Sequence, residues 1–115
     1  MKYTITTPLY YVNDKPHLGS SYTTIACDAI ARFHRLNGNS VLFLTGVDEH
    51  GQKIERTAKV KNLEPQVHCD IISNQYKYLW EKLNISYDRF VRTSSTEHNE
   101  LVQQFYLKVL ESNDV

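Results

Sequence analysis

Short apolar runs alternate along the chain with longer stretches in which apolar residues recur every three or four positions. The short runs are rich in β-branched and aromatic residues, so they predict β-strands. They span residues 2–7, 40–45 and 87–93. The longer stretches predict helices. They span residues 16–36, 52–61 and 65–83, and a fourth follows the capping-box spacing of residues 94–97.

This alternation of strands and helices predicts an α/β fold in which helices cover a parallel sheet. The apolar run of residues 41–44 is continuous, which indicates a strand buried on both faces. The first helix carries one apolar stripe, formed by Tyr22, Ile25, Ala26, Ala29, Ile30 and Phe33. The buried side predicted for the third helix consists of Val67, Ile71, Ile72, Leu79 and Leu83, with Trp80 at an edge.

Two loops are predicted to meet at one edge of this sheet. Right-handed crossovers bring the carboxyl ends of parallel strands to the same edge, where ligands bind in folds of this kind. The first strand leads into residues 8–20 and the second into residues 46–51. We therefore expect these two loops to form a single binding site.

The first loop has the features of a phosphate cradle. Pro16 suits the first turn of a helix, whose N-terminal N–H groups and partial positive charge attract phosphate. His17 has two nitrogens that can donate hydrogen bonds, and Gly19 has no Cβ to keep a ligand from the backbone. The competing interpretation is that His17 is a water-exposed residue at a helix start.

The second loop contains acidic and basic side chains. Asp48 can supply a carboxylate for an ammonium group, or it can cap its own loop. Leu9 and Tyr11, from the first loop, can line an apolar pocket or simply pack beneath the loop. His50 can meet a nucleotide or hold the loop by hydrogen bonds, and we favour the second role.

Three stretches carry a resemblance to a known family. Residues 16–20, Pro-His-Leu-Gly-Ser, resemble the His-Ile-Gly-His signature of class I aminoacyl-tRNA synthetases. Residues 7–13 and 43–51 are similar to the methionyl-tRNA synthetases in particular, and the similarity runs to about residue 113. One position departs from the signature, because Ser20 stands where a second His is usual. Serine donates one hydrogen bond but carries no positive charge.

The resemblance implies a fold and a reaction. The fold is the first half of a Rossmann-like nucleotide-binding domain, with three strands and flanking helices. Residues 1–115 then form the N-terminal portion of the catalytic domain of a longer enzyme, without its Lys-Met-Ser-Lys-Ser loop or zinc-carrying connective region. The reaction is methionine–tRNA ligation, in which methionine and ATP give methionyl-adenylate and the methionine passes to tRNA(Met). We expect this portion to be inactive alone.

The resemblance also implies roles for individual residues. Methionine-binding positions match Leu9, Tyr11 and Asp48. ATP-binding positions match Pro16, His17, Gly19 and Ser20, of which His17 and Ser20 are the catalytic candidates. Lys15 and His50 are supporting candidates. Mg²⁺ is expected to accompany ATP, and no metal site is expected within the chain itself.

Composition narrows the remaining possibilities. About 27 % of the 115 residues are Leu, Ile, Val or Phe, above the roughly 20 % below which disorder is expected. The formal net charge is zero, so the overall charge does not attract the chain to nucleic acid or to an anionic membrane. Without a signal peptide or membrane span, a cytoplasmic location is predicted. Cys27 and Cys69 should be reduced thiols, with Cys27 in the core.

Two other function classes stay open on the residues alone. One is a small nucleotidyltransferase with a similar His-x-Gly-x cradle, and the other is a module that binds a nucleotide or amino acid without chemistry. A basic face formed by Lys53, Arg56 and Lys59 is interpreted as solvated rather than phosphate-binding.

Overall fold

The computed structural model describes residues 1–112. Its strands are β1 (Lys2–Thr6), β2 (Tyr10–Tyr11), β3 (Ser40–Asp48) and β4 (Arg89–Arg92). Its helices are α1 (Leu18–Leu36), α2 (Gln52–Val60), α3 (Pro65–Lys82) and α4 (Thr96–Glu111). The three predicted strands and four predicted helices are all present, with ends displaced by no more than three residues.

β3 is the central strand of a parallel, four-stranded sheet. β1 pairs with residues 40–44 of β3, and β2 pairs with residues 47–48. β4 pairs with residues 44–47. Because every pair is parallel, the carboxyl ends of β1, β3 and β4 lie at the same edge of the sheet. The two predicted loops therefore meet at this edge, which we call the rim. The additional strand β2 is two residues long and lies inside the segment predicted as a loop.

The hydrophobic core lies where α2 and α3 pack near the rim end of β3. Its buried members are Val12, Val47, Ile54, Cys69, Ile72, Tyr76 and Trp80. Trp80 is fully buried, so its predicted place at an edge is wrong. Both cysteines are free thiols, as predicted, but the placement of Cys27 in the core is wrong, because Cys69 is the buried thiol and Cys27 is only partly buried.

Two predicted apolar surfaces are not covered within the described residues. Leu42 is 43 % exposed, which contradicts the prediction that residues 41–44 are buried on both faces. On α1, the apolar stripe faces outward, and the buried side carries Ser20, Thr24, Asp28 and Ala31 instead. The reason is a polar seam: the Asp28 carboxylate accepts hydrogen bonds from the Ser86 N–H and hydroxyl at 2.7 and 2.6 Å.

Other helices also leave apolar side chains in contact with solvent. Val67 and Ile71 on α3 are exposed, contrary to prediction, while Ile72 is buried as predicted. None of the residues of α4 is buried. No helix within residues 1–112 is long and apolar enough to cross a membrane.

Candidate functional site

A cavity of about 550 Å³ opens at the rim, between the segment after β1 and the start of α1. Six of the predicted site residues line it, namely Leu9, Tyr11, Lys15, Pro16, His17 and Ser20. Its other lining residues are Tyr10, Asn13, Asp14, Lys53 and Tyr76. Gly19, Asp48 and His50 lie outside this lining. Residues from the predicted phosphate cradle and from the predicted apolar pocket therefore border the same cavity.

His17 is the N-cap residue of α1, and its Nδ1 accepts a hydrogen bond from the Gly19 N–H at 3.0 Å. A backbone N–H can only donate, so Nδ1 acts as an acceptor and the neutral ring carries its proton on Nε2. The expectation that both nitrogens donate is corrected accordingly. The exposed His17 presents one donor, Nε2–H, to the cavity.

The positions of Pro16 and Gly19 also differ from the prediction. Because α1 begins at Leu18, Pro16 precedes the N-cap instead of standing in the first turn. A Cβ on Gly19 would lie 2.8 Å from the His17 Cε1 atom. The missing Cβ thus makes room for the imidazole that caps the helix. The predicted role of Gly19 was different, namely to let a ligand approach the backbone.

Ser20 is only 3 % exposed, and its surroundings were not predicted. The Tyr10 hydroxyl donates to the Ser20 carbonyl at 3.2 Å and lies 2.9 Å from the Thr24 hydroxyl. The Tyr10 ring stacks on Tyr76, with centroids 5.5 Å apart. Burial raises the pKa of the Tyr76 hydroxyl, against a hydrogen bond with the Ser20 side chain that lowers it. Tyr10 therefore ties the first loop to α1.

Asp48 ends β3 and pairs with Tyr11 of β2. Paired residues of neighbouring strands project from the same face of a sheet, so the two side chains lie side by side. Asp48 Oδ1 accepts hydrogen bonds from the His50 N–H and the Thr93 hydroxyl, both at 3.3 Å. The carboxylate forms no ion pair within residues 1–112. Its negative charge is therefore available to pair with a cation of a ligand.

Glu49, the next residue, has the opposite environment. Its side chain is fully buried, and Arg92 donates through Nε to Oε1 and Oε2 at 2.9 and 3.1 Å. The hydroxyls of Ser73 and Ser94 donate at 2.6 and 2.5 Å. Burial raises the pKa of the Glu49 carboxyl, but these hydrogen bonds and the Arg92 charge outweigh burial and hold it below its usual value. Glu49 is therefore a structural carboxylate, a role that sequence spacing did not reveal.

His50 is held by the end of β4. Its Nε2 lies 3.1 Å from the Thr93 carbonyl, which can only accept, so Nε2 donates. This contact fits the predicted loop-holding role. Beside it lies a second cavity of about 300 Å³, lined by Tyr11, Asn13 and residues 50–54. Tyr11, Asn13 and Lys53 border both cavities, so the interpretation of Lys53 as a merely solvated residue is incomplete.

A further cavity, of about 590 Å³, lies elsewhere. It covers the open face of the sheet and is lined by Leu42, Leu44 and Phe90, with Leu101 of α4. None of the predicted site residues borders it. Its charged lining residues include Arg89, Glu97 and Arg92, but Arg89 pairs with Glu97, and Arg92 pairs with Glu49 and Asp70. We therefore assign the site to the rim. No group of three or more potential metal ligands occurs among residues 1–112.

Residues 3–115 match the family model described as tRNA synthetases class I (M). The chain belongs to this family. It is 56 % identical over 113 residues to a methionine–tRNA ligase of Thermosynechococcus vestitus, covering 98 % of this chain and 21 % of that protein. It is 52 % identical over 115 residues to a methionine–tRNA ligase of Campylobacter jejuni, covering all of this chain and 18 % of that protein.

A solved structure agrees with this family membership. Methionyl-tRNA synthetase of Mycobacterium tuberculosis, bound by methionyl-adenylate, superposes with a TM-score of 0.85 and 43 % identity. The match covers 87 % of this chain and 20 % of that one. The family and the α/β fold predicted from the sequence are confirmed. The chain spans about a fifth of the length of the curated relatives it matches.

Proposed function

We propose that residues 1–115 form the N-terminal portion of the catalytic domain of a methionine–tRNA ligase. The observation that carries this proposal is the contrast between two adjacent acids. Arg92 neutralises Glu49, whereas no cation among residues 1–112 neutralises Asp48. A carboxylate left unpaired next to Tyr11, which lines the cavity, suits the ammonium group of an amino acid. The names of the relatives supply the identity of that amino acid.

Methionine would lie across Tyr11. Its ammonium group pairs with Asp48, and its thioether side chain runs along Leu9 and Tyr11, which are 42 % and 62 % exposed. Thioether sulfur makes favourable contacts with aromatic rings. The carboxylate of methionine then points into the cavity where His17 stands.

ATP, as its Mg²⁺ complex, would place its phosphates at the start of α1. A carboxylate oxygen of methionine attacks the α-phosphorus, the bond to the β-phosphate oxygen breaks, and pyrophosphate leaves. The nucleophile is already ionised, so no strong base is required. His17 Nε2–H donates to the phosphate oxygens, and Lys15 adds positive charge at the cavity wall. Ser20 and Pro16 shape the cavity floor, and Gly19 keeps His17 in its capping orientation.

The second step would transfer methionine from the adenylate to the end of tRNA(Met). The formal net charge of the chain is zero, so no global charge draws it to tRNA. We therefore expect residues 1–115 alone to charge no tRNA, with the tRNA contacts lying in other parts of the enzyme. The cytoplasmic location stays a prediction, and a relative from Arabidopsis thaliana, 51 % identical over 113 residues, is a chloroplastic/mitochondrial methionine–tRNA ligase.

The test is amino-acid-dependent exchange of pyrophosphate into ATP by the longer enzyme that carries this chain. Each of the twenty amino acids is offered in turn, and we expect exchange with methionine alone. Exchange driven by another amino acid would overturn the substrate. Exchange without any amino acid would indicate the nucleotidyltransferase instead. Binding of methionine or ATP with no exchange would indicate the binding module.

A further inference from the structure

Thr93 lies directly after β4 and is 7 % exposed. All three of its polar groups contact the end of β3 or the loop that follows. Its N–H donates to the Val47 carbonyl at 3.3 Å. Its carbonyl accepts from His50 Nε2 at 3.1 Å. Its hydroxyl lies between Glu49 and Asp48.

The direction of the hydroxyl hydrogen bonds is fixed by chemistry. The Glu49 N–H lies 2.9 Å from Thr93 Oγ1 and can only donate, so it occupies an oxygen lone pair. The hydroxyl proton is then free for Asp48 Oδ1 at 3.3 Å, because an ionised carboxylate can only accept. Oδ1 also accepts from the His50 N–H. Two donors therefore converge on one oxygen of Asp48.

We propose that Thr93 is a positioning residue, whose hydroxyl holds Asp48 Oδ1 so that Oδ2 faces the ammonium group of the substrate. This inference rests on the proposed function. A partly exposed carboxylate with no ion pair can rotate about its side-chain bonds, and Thr93 restricts that rotation. The fold does not depend on this hydrogen bond, because the buried Glu49–Arg92 pair joins the same two strand ends.

The substitution Thr93→Val removes the hydroxyl and keeps the branched shape, whereas Thr93→Ser keeps the hydroxyl. In the longer enzyme we expect Thr93→Val to raise the methionine KM about 3- to 10-fold, the size of one hydrogen bond. The ATP KM should change by less than about 2-fold on the same scale. Thr93→Ser should restore the methionine KM to near the parent value. A purely structural role would move both KM values together.

The reference is Asp48→Ala, measured alone and combined with Thr93→Val. If Thr93 acts through Asp48, the second substitution should add almost nothing to the first. Multiplied effects would overturn the positioning role. If Thr93→Val does not fold, Thr93→Ala replaces it in both backgrounds with the same expectation, and a normal methionine KM in either variant contradicts the inference. If Asp48→Ala itself leaves the methionine KM unchanged, the proposed function of Asp48 fails, whatever Thr93 does.

Discussion

Replacing Glu49 with Gln tests whether this carboxylate holds the rim together. The buried side chain joins the end of β3 to α3 through Ser73 and to the end of β4 through Arg92 and Ser94. Glutamine has nearly the same shape, so packing is preserved. It lacks the negative charge, however, and its amide nitrogen cannot accept a hydrogen bond from Arg92 or Ser94.

The size of the effect follows from these contacts. Removing one member of a buried ion pair costs about 3–5 kcal/mol. The cost here should be lower, because Arg92 is a quarter exposed and keeps its pair with Asp70 at 2.5 Å. One retained acceptor oxygen also serves Ser73. We expect about 2–3 kcal/mol of local stability to be lost, reasoning from the 1.5–3 kcal/mol of a hydrogen bond to a charged group.

The assay is amide hydrogen exchange in the longer enzyme, followed by mass spectrometry on peptides that cover β4. A loss of this size speeds local opening roughly 30- to 200-fold. The matched control is Glu97→Gln, which removes the charge from an ion pair with Arg89 at 3.3 Å in which both side chains are mostly exposed. Exchange should be unchanged in that control. Equal exchange in Glu49→Gln and the parent would refute the structural role of Glu49.

Two further predictions concern stability. Gly46→Ala should have a much lower melting temperature than Gly38→Ala, because a Cβ on Gly46 would lie 2.1 Å from the Val91 carbonyl oxygen. A Cβ on Gly38 meets nothing within 4 Å, and the only strain comes from its φ of +76°. Equal melting temperatures of the two variants would contradict this. Burial raises the pKa of the Asp28 carboxyl, but hydrogen bonds from Ser86 and Arg32 hold it below its usual value, so its stabilisation is complete above about pH 4–5 and is lost as the pH falls further. Asp28→Asn should flatten that acid-side fall in melting temperature, and an unchanged slope would argue against it.

The elements of the fold could be predicted because their apolar spacing is regular. β2 could not, since two residues give no periodicity and the strand exists only through its pairing with β3. The spacing of apolar residues could not predict the orientation of α1 either. Its apolar stripe is genuine, yet α1 meets the rest of the chain through Asp28 and its hydrogen bonds to Ser86, 58 residues away. Apolar spacing shows where a stripe is, but it does not show what covers it.

The predicted site residues were gathered by topology and family resemblance, and most of them line one cavity. The missed residues act through long-range contacts. Arg92 and Thr93 lie more than forty positions from Glu49 and Asp48, so no local spacing links them. The role of Gly19 depends on the rotamer of His17, which residue types alone do not reveal. The different roles of Tyr10 and Tyr11 could have been predicted, because successive side chains of a strand point to opposite faces of the sheet.

The most direct test of the central claim compares two variants of the longer enzyme by methionine-dependent pyrophosphate exchange. Asp48→Asn keeps the shape and one acceptor but loses the charge, so the methionine KM should rise about 10- to 100-fold while the ATP KM stays within a factor of a few. His17→Ala should slow exchange about 10²- to 10³-fold, the scale of one lost transition-state donor, with little change in the methionine KM. Equal losses for both substrates in Asp48→Asn, or a normal rate in His17→Ala, would contradict the division of the rim into an ammonium site and a phosphate site.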